Sequence, residues 1–192
     1  MKKIIAALVA TVAMATAAFA ADVSVSGALT FPMSWINSSE NSKYTNNMAI
    51  GFEAGCDYFI TDMYGVGVDF SYERVLSQKY DGNKNSDVKQ GDFNIFAGCA
   101  IRLLNDDQFV LVVTPGLSFN YSNDSDSKMS TTMFGLGADA KFGYKLMSNL
   151  TLDAGLSVVY DFYGKAKWDG DKVDGTYRGF VVTPKLGATY YF

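Results

Sequence analysis

The sequence contains no histidine, only two cysteines and only three prolines among its 192 residues. The lack of histidine removes the side chain that most often acts as a general base near neutral pH and as a metal ligand. Two cysteines, Cys56 and Cys99, are too few for the disulfide scaffold of a small secreted domain. These absences favour a protein without a catalytic, cofactor or metal site.

Long apolar runs are also missing, apart from one at the start of the chain. Residues 1–20 begin with two lysines, continue with an apolar stretch to about Val12 and end in small residues around Ala20. This order is typical of a secretory signal peptide, and the apolar stretch is short for an uncleaved membrane anchor. We therefore predict a signal peptide at residues 1–20 and one exported domain at residues 21–192, without a helical membrane span.

Positive charge is scarce in the predicted mature chain. Without Lys2 and Lys3, 14 Lys and Arg remain against 20 Asp and Glu, which leaves a net charge of about −6. Nucleic acid is a poor partner for a chain with this balance, because its backbone is itself anionic. We therefore expect no nucleic-acid partner.

Strict alternation of apolar and small or polar residues is the strongest positive signal. Between Val23 and Trp35 the odd positions are mostly apolar, whereas the even positions include several Ser and Thr, as in a two-faced β-strand. The pattern occurs eight times, in residues 23–35, 48–58, 64–72, 93–103, 109–121, 134–146, 150–162 and 180–192.

The connections between these segments alternate in length. Short ones fall near residues 61–63, 105–107 and 147–149, and long polar ones fall near residues 37–43, 74–90, 122–130 and 164–176. Long and short connections then lie at opposite ends of one sheet. We predict an all-β fold, an eight-stranded antiparallel up-and-down barrel with short periplasmic turns and four long extracellular loops.

The size of the apolar side chains decides which face of the barrel points inward. A soluble barrel with an apolar cavity would alternate too, but here about seven mostly large residues per strand lie on the apolar face. Eight strands enclose an interior barely wide enough for side chains to fill. The apolar face must therefore point outward, into lipid, where a closed barrel also satisfies every backbone group.

Aromatic and charged residues give this barrel its expected layers. Aromatics near the strand ends predict girdles at the two membrane interfaces, formed by Trp35, Tyr58, Tyr64, Tyr72, Tyr121, Tyr144 and Tyr160.

Charged residues on the inner face must be paired or hydrated. The expected inner set is Glu53, Asp57, Asp69, Glu73, Arg102, Asp139, Lys141, Lys145, Asp153, Asp161 and Lys185. We predict a lumen charge network of Glu53, Asp69, Arg102, Asp139, Lys141, Asp153 and Lys185 that plugs the barrel, with a narrow water-filled cation path as the alternative.

The last strand ends with Lys185, Gly187, Tyr190 and Phe192 at the positions of a polar-x-Gly-x-x-aromatic-x-Phe motif. With the signal peptide and the eight segments, this motif resembles the small outer-membrane barrels of bacteria with two membranes. That group includes OmpX, OmpW and the OmpA transmembrane domain. The resemblance implies that the export and barrel-assembly machinery handles the chain and reads this motif as an assembly signal. It also implies outer-membrane localisation, lipid contact and two periplasmic termini.

Function is harder to predict than the fold. The enzymes known in this group generally rely on a histidine, so we expect a non-enzymatic protein, although a carboxylate pair such as Glu53 and Asp69 leaves acid and base chemistry as an alternative. The expected role is structural or surface-interacting, carried out by a monomer whose loops contact an extracellular ligand. The alternative is a narrow channel for small ions, or a lateral gap for small apolar solutes near Pro32, Pro115 or Pro184, each of which lies within a predicted strand.

Overall fold

The computed structural model describes residues 22–38, 44–80, 83–85, 88–125 and 127–192, and the predicted signal peptide lies outside them. Regular structure in these ranges is entirely β-strand. No helix there is long and apolar enough to cross a membrane. The strands are β1 (Asp22–Thr30), β2 (Met33–Ser38), β3 (Tyr44–Phe59), β4 (Tyr64–Tyr80), β5 (Asn83–Asn85), β6 (Gln90–Asn105), β7 (Phe109–Asp124), β8 (Met129–Met147), β9 (Leu150–Trp168) and β10 (Asp171–Tyr191).

The strands form one antiparallel sheet that closes on itself. β1 and β2 act as a single strand because both pair with β3 on one side and with β10 on the other. β5 only extends the edge of β4. Val25 of β1 lies opposite Tyr190 on one side and Cys56 on the other, which completes the ring. The prediction of an eight-stranded antiparallel up-and-down barrel is confirmed for the described residues.

The wall is locally modified at two neighbouring prolines. Regular strand structure stops at Phe31 and Pro32, but β1 and β2 keep the same pairing register on either side. The Phe31 N–H donates to the Pro184 carbonyl at 3.0 Å, and the Ala49 N–H donates to the Pro32 carbonyl at 2.9 Å. A proline can accept but cannot donate in a ladder, so the interruption is local and the wall continues past it.

Most described residues of the connections at the predicted outer end belong to strands, which corrects the sequence-based expectation of long loops. The polar stretch 164–176 forms the ends of β9 and β10, joined by a tight turn at Asp169 and Gly170. Both turn residues have positive φ, 50° and 93°, as the type I′ turn of a two-residue β-hairpin requires. Residues 122–130 behave similarly, since β7 ends at Asp124 and β8 begins at Met129. Of the predicted loop 37–43, residues 39–43 lie outside the described residues.

The inner face carries more large apolar side chains than the sequence pattern indicates. Phe96 and Met133 face inward and are buried, as are Phe59, Val110 and Val112. The sequence could not assign the two valines reliably, because residues 109–113 are apolar without interruption and so lose the two-residue period. The interior of the barrel therefore contains hydrophobic packing as well as charged side chains.

Candidate functional site

Two lysines in the middle of the lumen hold four carboxylates. The Lys185 ammonium of β10 donates to Glu53 Oε2 at 2.6 Å and also to Asp139 Oδ2. The Lys141 ammonium of β8 lies 2.9 Å from Asp57 Oδ2 and 3.8 Å from Asp69 Oδ1. We call these six residues the central network.

The central network connects opposite walls of the barrel. β8, which carries Lys141, lies four steps around the ring from β3, which carries Asp57. The side chains of both residues are nearly inaccessible, with 11% and 3% of their surfaces exposed. A charge buried to this extent is tolerated only when it is paired and hydrogen-bonded. The network therefore ties four strands together across the lumen.

The structure brings together five of the seven residues predicted for the lumen charge network, namely Glu53, Asp69, Asp139, Lys141 and Lys185. Arg102 and Asp153 also face inward, but they make other contacts. Asp153 accepts hydrogen bonds from the hydroxyls of Thr151 and Thr189, at 2.6 and 2.5 Å. Alternation predicts the face on which a residue lies, but it does not predict the height along the barrel that decides which residues meet.

Arg102 lies beside a buried cluster at the end of the barrel that carries the short turns. Its guanidinium pairs with both oxygens of Asp22, at 2.5 and 3.0 Å, and lies 3.8 Å from the centre of the Phe59 ring. A buried cluster of Phe59, Ala100, Val110 and Val112 fills this end, with Tyr191 packed against it. The bidentate pair and the stacked ring hold the arginine in place.

Three further carboxylates lie between the central network and the opposite, outer mouth. Their hydrogen-bond donors in the described part of the chain are neutral: Ser71 for Glu73, Gln90 and Ser122 for Asp92, and Ser118 for Asp161. They border a small cavity of about 30 Å³, below a mouth cavity of about 240 Å³. Asp92 was missed by the sequence analysis because it directly precedes the predicted strand 93–103. No group of three or more Cys, Asp or Glu in the described residues is arranged to hold a metal ion.

The seven residues of the predicted aromatic girdles all point away from the lumen and are exposed: Trp35, Tyr58, Tyr64, Tyr72, Tyr121, Tyr144 and Tyr160. Three of them contact a neighbouring ring: the centroid distances are 6.3 Å for Trp35 and Phe180, 6.1 Å for Tyr72 and Phe52, and 5.7 Å for Tyr144 and Phe109. Their contact with the membrane interface remains a prediction. Cys56 and Cys99 are free thiols, and Cys99 is exposed on the outer face.

The predicted assembly-signal residues lie on β10 at the seam with β1. Gly187 is opposite Ala28, and a side chain at Gly187 would place its Cβ 2.3 Å from the Gly27 carbonyl. Tyr190 and Phe192 point outward with their ring centroids 4.8 Å apart. The Phe192 N–H donates to the Val23 carbonyl at 2.9 Å. Lys185 points inward, into the central network.

Deletion of Phe192 is expected to lower the amount of inserted barrel in cells while leaving refolding of purified protein in detergent largely intact. The structural loss is small, one backbone hydrogen bond and one exposed ring, or about 1 kcal/mol, whereas a lost assembly signal acts on the cellular pathway. Gel mobility of unheated membrane fractions measures the folded barrel. Phe70→Ala, which removes another exposed ring, is the control. Equal insertion of the deletion variant and the parent chain would leave Phe192 with a structural role only.

A closed ring of eight antiparallel strands, apolar outside and charged inside, is the architecture of a transmembrane β-barrel. The chain belongs to the outer membrane protein beta-barrel domain family, whose model matches residues 4–183. This membership indicates the bacterial outer membrane as its location and confirms the resemblance inferred from the sequence.

Solved structures show the same fold. Neisserial surface protein A is 18% identical, with 88% of this chain and 97% of that chain covered at a TM-score of 0.58. OprG from Pseudomonas aeruginosa is 16% identical, with 90% and 96% covered at a TM-score of 0.59. A major outer membrane protein from Thermus thermophilus is 16% identical, with 91% and 100% covered at a TM-score of 0.55. A comparison with curated protein sequences gives no match.

Proposed function

We propose that the protein is a non-enzymatic outer-membrane barrel with a structural or surface-interaction role. In this proposal both termini and the short turns face the periplasm, and the extended strand ends of β7 to β10 stand above the cell surface. The observation that supports the proposal is the packing of side chains at two levels inside the barrel, the central network and the apolar cluster around Phe59. A barrel blocked at two levels is suited to anchoring a surface rather than to passing solutes.

The lumen is filled by different means at its two levels. A cavity beside Glu53, Lys141 and Lys185 of the central network has a volume of about 10 Å³, close to the minimum that holds a single water molecule. At the end with short turns, the apolar cluster around Phe59 and Val112 lies beside the Arg102 and Asp22 pair. A solute would have to break ion pairs at the first level and separate packed hydrophobic side chains at the second.

The strand ends at the outer mouth support a contact surface. β9 continues to Trp168 and β10 begins at Asp171, several residues beyond the aromatic ring of Tyr160. A paired hairpin presents side chains in a fixed arrangement and loses less conformational entropy on binding than a flexible loop does. Catalysis is disfavoured because the chain has no histidine, and the carboxylates nearest the mouth are hydrogen-bonded to neutral groups.

Purified protein in planar lipid bilayers is expected to show no large steady conductance, because an eight-stranded barrel with this filling leaves no continuous water column. Single-channel recording after insertion measures it, with heat-dependent gel mobility of the same sample to show that the barrel is folded. A stable conductance of porin size from folded protein would contradict the filled-lumen proposal.

A narrow cation path is the second candidate, and the acidic cavity near the outer mouth favours it. Glu73, Asp92 and Asp161 border this cavity, and so does Asn47, whose buried Oδ1 has no hydrogen-bond donor among the described residues. These groups would attract a hydrated cation from the mouth. A small cation-selective conductance that disappears in Glu73→Gln/Asp161→Asn would support this path, whereas no such conductance would exclude it.

A further inference from the structure

Three lysines form a positively charged patch on the outward face of the barrel near its outer mouth. Lys165 and Lys167 lie on β9, and Lys172 lies on β10 directly opposite Lys167. All three are exposed, and they line an outward-facing groove of about 410 Å³ together with Tyr121 and Tyr163. We call these three lysines the outer basic patch.

The charges of the outer basic patch are largely uncompensated within the described residues. Lys165 donates to the Gly175 carbonyl at 3.3 Å, a neutral acceptor. Asp169, in the nearby turn, already pairs with Lys128 at 3.1 Å. Asp171 adjoins Lys172 in the strand, so its side chain points to the opposite face. Among the side chains that the structure describes, the three lysines of the patch therefore have no carboxylate partner.

Lys167 and Lys172 are a like-charged pair on adjacent strands. Like charges directly opposite each other destabilise a sheet, and none of the residues that line the groove around them is acidic. An anion bound between the two ammonium groups would turn this repulsion into attraction. The arrangement thus points to an anionic ligand held from outside the chain.

The height of the outer basic patch on the barrel identifies where that ligand resides. The outward side chains of β9 are apolar from Leu150 to Val158 and aromatic at Tyr160, Phe162 and Tyr163. A bulge opposite Phe134 and Gly135 turns both Phe162 and Tyr163 outward. On a strand tilted by about 40°, Lys165 lies ~5 Å and Lys167 ~10 Å beyond Tyr163. This is the depth of the headgroup layer, which begins where the apolar belt ends.

We propose that the outer basic patch binds the phosphate groups of a phosphorylated lipid in the outer leaflet of the membrane. Lysine ammonium groups suit phosphate as point charges. Tyr121 and Tyr163, beneath the lysines in the same groove, contact the part of the lipid where headgroup and acyl chains meet. The inference rests on the proposed orientation, in which this end of the barrel faces the outside.

The test uses the folded protein in detergent micelles, with diphosphoryl lipid A as the probe and native mass spectrometry as the measurement of bound lipid. Lys165→Gln/Lys167→Gln/Lys172→Gln is expected to weaken binding about a hundredfold, since each lysine near an anionic surface contributes about fivefold. The control Arg74→Gln/Lys89→Gln/Lys145→Gln removes the same charge from residues outside the groove, on β4, just before β6 and near the short-turn end of β8, and is expected to leave binding unchanged. Lys167→Gln alone, with an expected loss of about fivefold, replaces the triple variant if that variant does not fold.

Lipid A without its phosphates is expected to bind the parent protein as weakly as diphosphoryl lipid A binds the triple variant. Parent-like binding by the triple variant, or an equal loss in the control, would overturn the proposal. Full displacement by inorganic phosphate would overturn it as well, because the patch would then be a general phosphate site rather than a lipid site. A micelle does not separate a periplasmic from an extracellular side, so this result does not depend on the orientation of the barrel. Labelling of Asp171→Cys in a Cys56→Ser/Cys99→Ser chain on intact cells, with a membrane-impermeant maleimide, tests the orientation separately.

Discussion

Replacing Lys185 with alanine is expected to lower the free energy of unfolding by about 3–5 kcal/mol, the usual cost of removing one partner from a buried ion pair. Lys185 is 6% exposed and holds Glu53 and Asp139 from two other strands. Without its ammonium group, two carboxylates would face each other in the lumen with one fewer positive charge nearby. The barrel would then have to admit water at its centre or protonate a carboxylate, and either change costs stability.

Reversible urea unfolding of the protein in lipid vesicles measures this change. Lys128→Ala is the matched control, because it removes a lysine from an exposed pair with Asp169 and is expected to cost at most about 1 kcal/mol. Glu53→Gln/Asp139→Asn/Lys185→Met, which neutralises the whole group, is expected to recover most of the lost stability. A loss below about 1 kcal/mol for Lys185→Ala would show that the ammonium group does not hold the lumen together.

Replacing Gly98 with alanine is expected to cost about 3 kcal/mol or to prevent folding, at the upper end of overpacking penalties. Gly98 of β6 faces Gly116 of β7, and a Cβ at Gly98 would lie 2.1 Å from the Pro115 carbonyl and 2.7 Å from Gly116 Cα. Cβ contacts below 3.0 Å are essentially never observed. Both nearest atoms belong to the backbone, so relief requires that the two strands separate.

The same urea titration and the folded fraction on unheated gels measure the effect of Gly98→Ala. Gly27→Ala is the control, because the atom nearest to its added methyl group is the Glu53 carbonyl oxygen at 4.0 Å. We expect the control to change stability by no more than about 0.5 kcal/mol. If both variants unfold at the same urea concentration, the close approach of β6 and β7 is not required for the barrel to close.

The fold could be predicted from the sequence because the lipid-facing side of each strand is read directly from alternate residues. From Leu150 to Phe162, for instance, the outward positions are consistently apolar or aromatic. Alternation no longer predicts the strands beyond the apolar outer surface of the barrel. Residues 163–168 and 171–178 remain strand although they have no apolar period, because backbone pairing continues in water without a hydrophobic face. The dipeptide Asp169–Gly170 is typical of a two-residue hairpin turn, and it was the one sequence feature that could have predicted this hairpin.

The candidate site could be predicted only as a set of inward-facing residues. The pairing of Lys141 with Asp57, 84 residues apart, depends on the stagger of eight strands around the ring, and alternation within one strand carries no information about stagger. For the same reason the predicted lumen charge network included Arg102, although Arg102 lies with Asp22 at one end of the barrel. The sequence did not predict the outer basic patch, because its lysines come together only through the pairing of the last residues of β9 with the first residues of β10.

The seam between β1 and β10 also limits how the barrel can be made. It joins residues such as Val25 and Tyr190, which are separated by almost the whole described chain. Contacts of such long sequence separation form slowly and cannot form at all until the last strand has been delivered. Until then β1 and β9 each expose an unpaired edge, which can capture strands of other chains. Correct folding of the nascent protein therefore requires that these two edges be kept from pairing with other strands until β10 is inserted between them.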